Sequence, residues 1–198
     1  MTRDDHHGVP RHAHAALLDA YLDELKRLHP KLAVIPKGES RLCRLIDRTL
    51  KVITFGGMRG FQTSFVTTLG QRIYVPDDWA QWPAGQRYCI LRHEAVHVGQ
   101  FRRFSFPLMV VMYLLLPLPV GFAPGRTWLE WQGYRETLRA HWQVYGRDEA
   151  RSKELTEHIV ARFVGPEYAW MWVAGSQVRR WVQRELARLE ASPPPRLA

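Results

Sequence analysis

"ILRHEAVHVGQ", residues 90–100, places two histidines four positions apart with a glutamate directly after the first. On an α-helix residues four apart lie one turn above one another, so His93 and His97 can direct both imidazoles at a single ion. Glu94 stands one step round, beside that ion rather than aimed at it. This is the H-E-x-x-H arrangement: two zinc ligands and a carboxylate placed to take a proton from water. Zinc lowers the pKa of a water it binds to about 7, and Glu94 is then the general base. Three fixed positions in five also recur by chance in a chain with nine histidines. Against chance stand the flanking Ile90, Leu91, Ala95, Val96, Val98 and Phe101, the apolar setting that a dry site requires. Two buried imidazoles beside a buried carboxylate are also costly without a metal.

Upstream, Pro83 suits the entry to a helix over about 84–103, and "DDWAQWPAG" before it reads as a loop. Between residues 50 and 76, "LKVITF", "FQTSFVTT" and "QRIYVP" are rich in β-branched and aromatic residues and are separated by "GGMRG" and "LGQ". They predict a small sheet containing a hairpin. Farther back, Leu17, Leu18, Tyr21, Leu22, Leu25 and Leu28 recur at helical spacing over 13–29 until Pro30. Downstream, helical patterns cover about 127–145, 149–163 and 167–189. The order of helix, sheet and further helices predicts an α+β fold, with a small antiparallel or mixed sheet on the motif helix and a helical C-terminal half. Residues 13–191 form one expected domain, between a polar tail at 1–12 and a proline-rich tail at 192–198.

A zinc site needs a third protein ligand. Gln100 and Arg103 occupy the places where the longer H-E-x-x-H-x-x-G-x-x-H pattern has glycine and histidine, so the ligand lies farther along. "TWLEWQGYRETLRAHW", residues 127–142, offers Glu130 and Glu136. Glu130, Tyr134, Thr137 and His141 share one helical stripe; Glu136 falls with Gln132, Arg139, Ala140 and Gln143 on a face that reads as solvent-exposed. Glu130 is the better ligand.

"HEAVH" followed 33 residues later by "EWQGY" resembles the gluzincins, zincin metallopeptidases in which a later glutamate completes a His, His, Glu site. The resemblance covers roughly residues 50–145. It implies a zincin-like fold whose sheet edge holds a peptide substrate in extended form above the active-site helix. One departure is Tyr134, where many members carry an aspartate that orients a zinc-bound histidine. Tyr134, His141 and Tyr168 are candidates for stabilising an oxyanion. Cys89, one turn before His93, reads as a small core residue.

From Phe104 to Gly125 the chain carries no charge. Pro107, Pro117 and Pro119 leave only residues 108–116 uninterrupted, far short of the roughly 20 a spanning helix needs. A single crossing would also put His93 and His97 on one side of a membrane and Glu130 on the other. Residues 106–122 are therefore expected as a core helix, a pocket wall or a peripheral contact with a membrane surface, the last supported by Arg102 and Arg103.

The 198 residues are 46% hydrophobic and 12% aromatic, values for a folded chain. The formal charge is +9, but the basic residues are scattered over several segments and no nucleic-acid-binding signature accompanies them, so no specific nucleic-acid binding is expected. Two cysteines, Cys43 and Cys89, make no disulfide framework, and the opening residues resemble no signal peptide. The expected compartment is the cytoplasm. The expected function is that of a zinc metallopeptidase acting on a peptide or protein substrate, with His93, His97 and Glu130 as ligands and Glu94 as base. The competing expectation is a non-catalytic zincin-like binding or structural module, or a basic protein peripheral to membranes.

Overall fold

A computed structural model describes residues 8–53, 65–112, 124–165, 171, 173–195 and 197. In chain order the elements are α1 (His14–Leu28), β1 (Ala33–Pro36), α2 (Arg41–Ile53), β2 (Thr67–Leu69), β3 (Arg72–Val75), α3 (Ala84–Arg103), α4 (Phe106–Val110), α5 (Pro124–Tyr145), α6 (Arg147–Ala150), α7 (Lys153–Val164) and α8 (Gly175–Ala191). The protein is mostly helical with one three-stranded mixed sheet, an α+β arrangement.

The sheet order is β1-β3-β2. β3 is its centre, parallel to β1 (Ala33 opposite Arg72, Pro36 opposite Val75) and antiparallel to β2 (Thr67 opposite Tyr74, Leu69 opposite Arg72). Ile73, Tyr74 and Val75 are all buried, as expected of a strand covered on both faces. The β2–β3 hairpin turns through Gly70 and Gln71, with Gly70 at φ +64°, a conformation that tight hairpin loops demand and glycine adopts freely. β1 ends at Pro36, which has no N–H to donate and so sits on an edge strand.

Two apolar clusters flank α5. On one side Leu18, Ile73, Val75, Tyr88, Leu91 and Val98 pack with Ala140 and Val144, joining α1, the sheet and α3 to α5. On the other, Tyr134 and Leu138 pack with Leu155, Ile159, Phe163, Val178 and Val182 of α7 and α8. α5 is thus the middle layer, and the close packing of α3 along it sets the geometry of the motif.

Several expectations are corrected. "LKVI" is the end of helix α2, not a strand: the segment continues a helical pattern from Arg41 with Cys43 and Asp47 turned inward. The rest of "LKVITF" and the start of "FQTSFVTT", residues 54–64, lie outside the described residues. The helix expected over 149–163 is two elements. Gly146, at φ +95°, ends α5, and the Ser152 hydroxyl caps α7 by accepting from the Leu155 amide at 3.1 Å. The last helix begins at Gly175 rather than 167, with 166–170 outside the described residues. Val9 O lies 2.8 Å from His14 Nε2 of α1, and Pro195 O accepts from Gln143 Nε2 of α5 at 2.8 Å. Among the described residues no helix is long and apolar enough to cross a membrane.

Candidate metal centre

His93 and His97 project from the middle of α3 toward α5, and Glu130 comes to meet them from the second turn of α5. His93 Nε2 and His97 Nε2 lie 3.1 Å apart. Glu130 Oε2 is 3.7 Å from the first and 3.8 Å from the second. Donors around a zinc ion at about 2.0–2.1 Å are separated by roughly 3.3 Å at the tetrahedral angle, so these three atoms have the spacing of ligands on one ion. Glu130 and His97 are buried, at 4% and 5% exposure; His93 keeps a narrow face on an open cleft.

The partners of the imidazoles assign their tautomers. Thr137 donates its hydroxyl to Gly133 O at 3.2 Å, so its oxygen accepts from His93 Nδ1–H at 3.0 Å. Gln100 donates Nε2–H to Leu129 O at 3.2 Å, so its amide oxygen accepts from His97 Nδ1–H at 2.9 Å. Both Nε2 atoms therefore present lone pairs to each other and to a carboxylate. Two imidazole nitrogens and a carboxylate oxygen thus converge in a buried place, a donor set that attracts a cation. His93 records the same field: burial opposes charge on it, yet the carboxylates of Glu130 and Glu94 outweigh burial and raise its pKa above the ordinary histidine value. His93, His97 and Glu130 can hold a metal ion.

Two features of α5 make this approach feasible. A Cβ on Gly133 would stand 2.6 Å from His93 Cε1, so only glycine lets the imidazole lie on the helix. The Tyr134 ring then meets His93 edge-on, centroids 4.7 Å apart.

Glu94 is buried at 7% exposure and points elsewhere: its Oε2 accepts from the Thr68 hydroxyl of β2 at 2.6 Å. It stands outside the three-ligand group, on the wall of the cleft. That cleft, about 590 Å³, runs between α3, the segment leading into β2, and α7. Phe65, Val66, Trp82, Ile90 and Leu155 give it apolar walls, and His141, His158 and Arg162 a polar side. Burial, helped by the nearby charge of His158, lowers the His141 pKa to about 4, and its Nδ1 meets no hydrogen-bond partner among the described residues.

Of the oxyanion candidates, Tyr134 and His141 line the cleft, and Tyr168 lies outside the described residues. Cys89 is buried at 2% exposure and unpaired, and burial pushes its thiol up to about 12; Cys43 is likewise a free buried thiol. The face of Glu136 is corrected. It is not a solvent face: Ala140 is fully buried, and Glu136 accepts from Arg92 Nε at 2.8 Å, in a network with Tyr88 and Gln143 between α3 and α5.

Sequence reading missed the roles of Gln100, Thr137, Gly133, Thr68 and Lys37. The first three had a local signal, since Gln100 lies three residues from His97, and Gly133 and Thr137 three and seven from Glu130. Thr68 and Lys37 had none. Lys37 is fully buried, donates to Phe65 O at 2.7 Å and so holds the chain entering β2; burial lowers its pKa to about 8. Comparison with protein-family models, curated proteins and solved structures finds no match to this chain.

Proposed function

We propose that the protein is a zinc-dependent hydrolase, a metallopeptidase of gluzincin type. The observation that carries the reading is the pairing of two arrangements on one helix. Two histidines and a glutamate converge from α3 and α5, and a separate carboxylate, Glu94, lies outside them, bonded to Thr68 and lining the cleft. Two histidines and one glutamate form the donor set of catalytic zinc sites that leave a coordination position open.

Zinc held by His93, His97 and Glu130 would polarise a scissile carbonyl and acidify water. Glu94 takes the proton from the attacking water and returns it to the leaving amine. Its Oε2 is engaged by Thr68, which leaves Oε1 for that exchange. The same donor set also serves iron in oxygen chemistry; a positioned base next to a cleft of peptide dimensions favours hydrolysis. Substrate binding follows from the sheet: β2 pairs with β3 on one side and, among the described residues, has no strand on the other. An extended peptide can add along that edge, as in β-augmentation, with Phe65 and Val66 directing its side chains into the cleft.

The test is cleavage of a mixed fluorogenic peptide library by protein carrying zinc. Cleavage that stops with a chelator, returns with added zinc and falls by about 2 to 4 orders of magnitude in Glu94→Gln supports the reading. Zinc-loaded protein that cleaves none of the library overturns it.

A further inference from the structure

One pole of the molecule gathers the ends of three helices. The C-terminal end of α3 meets that of α1 where Arg102 Nη1 lies 3.2 Å from His29 Nδ1. It meets the N-terminal end of α5 where the Phe104 and Trp128 rings stand 6.1 Å apart, and α4 where Phe101 stacks on Phe106 at 5.9 Å. Four large apolar side chains at this pole face water: Phe106 at 56% exposure, Trp128 at 47%, Leu108 at 44% and Val111 at 37%. Scattered exposed apolar residues need no explanation. These four are not scattered, since three lie within six residues and the fourth, Trp128, meets the ring of Phe104, two residues before Phe106.

Among the described residues, the charges on the last turns of α1 and α3 and on the first turn of α5 are positive. The sequence contains no aspartate or glutamate from Ala95 to Leu129, and Arg102 and Arg103 are exposed there. None occurs from Leu25 to Gly38 either, where Lys26, Arg27 and Lys31 are exposed at the end of α1 and in the turn after it. An apolar tip with aromatic residues, rimmed by lysine and arginine, is the combination that seats a protein in a lipid headgroup region: the rim meets lipid phosphates and the tip enters the acyl boundary. A second protein surface would gain nothing from so uniform a positive rim unless it were acidic, and this chain, at +9, is a poor partner for itself.

We propose that this pole is a membrane-docking surface for bilayers bearing anionic lipids, with Phe106, Leu108, Val111 and Trp128 inserting at the interface and Arg102 and Arg103 pairing with headgroups. It is independent of the proposed chemistry. Six residues of α3 separate His97 from Arg103, so docking would hold the triad roughly 9 Å above the rim.

The experiment is co-sedimentation with vesicles of phosphatidylcholine alone and of phosphatidylcholine with one quarter phosphatidylglycerol, at low and high salt. The full chain is compared with Phe106→Ser/Trp128→Ser and Arg102→Gln/Arg103→Gln, each checked for an unchanged helical circular dichroism spectrum. Binding to the anionic vesicles, weakened by salt, is expected. The arginine variant should lose about 25-fold in affinity, near fivefold for each charge. The serine variant should lose at least tenfold and bind at neither salt as the unmutated chain does. Equal binding by the serine variant, no binding of the unmutated chain to anionic vesicles, or a patch-dependent dimer in light scattering without vesicle binding would overturn the proposal.

Discussion

Thr137 orients His93: its hydroxyl donates to Gly133 O and its oxygen stands 3.0 Å from His93 Nδ1, so Nε2 is left free to face the triad. It thereby does on α5 what an aspartate does for many metal-bound histidines. Thr137→Val keeps the shape and removes the acceptor. Zinc affinity, measured by competition with a chelator, should fall about 10- to 100-fold, the usual cost of losing such a partner, and Thr137→Ser should restore it.

Gly133→Ala separates helix stability from site geometry. Alanine favours a helix by about 1 kcal/mol over glycine, but its Cβ would stand 2.6 Å from His93 Cε1 and must push the imidazole aside. The variant should bind zinc more weakly while its helical circular dichroism is retained. Unchanged affinity would mean that the ring moves without cost.

Glu136→Ala is expected to act on stability and not on the metal. It leaves Arg92, with 16% of its side chain exposed, without its carboxylate between α3 and α5. Loss of a half-buried charged partner costs about 1–3 kcal/mol, readable in urea denaturation at unchanged zinc content. Glu130→Ala should give the reverse order of effects, with zinc affinity hit hardest.

How much of this was legible follows the range of each interaction. The motif helix and the placing of Glu130 beside the two histidines were readable because His93, His97 and the Glu130 stripe depend only on helical periodicity. Thr68 meets Glu94 across 26 residues, and Lys37 meets Phe65 across 28; no local pattern announces either. The solvent reading of the Glu136 face failed because α5 is a middle layer, covered on both sides, where polar residues such as Gln143 are buried in networks rather than exposed. "AVIP" escaped as a strand because four half-buried residues carry no alternation, and its pairing with β3 is set by the fold.

The acid stability of the protein should depend on His141. Its folded pKa, about 4, lies below the ordinary value of 6.5 because burial, and next the charge of His158, disfavour its protonated form. Between those values the unfolded chain binds the extra proton, so stability falls as pH drops from about 6.5 toward 4, by roughly 3 kcal/mol in all. In His141→Gln that part of the slope should vanish. Denaturation free energies at pH 4 to 7 that change in parallel for the two proteins would contradict it.

The most direct test of the central claim is the zinc content of tag-free protein purified without chelators, measured by elemental analysis for the unmutated chain, Glu94→Gln and Glu130→Gln side by side. The account predicts about one zinc per chain in the first two and little in the third, because on the proposed reading Glu94 acts as a base bonded to Thr68 and Glu130 acts as a ligand. No zinc in the unmutated chain, or zinc lost from Glu94→Gln and kept by Glu130→Gln, would contradict it.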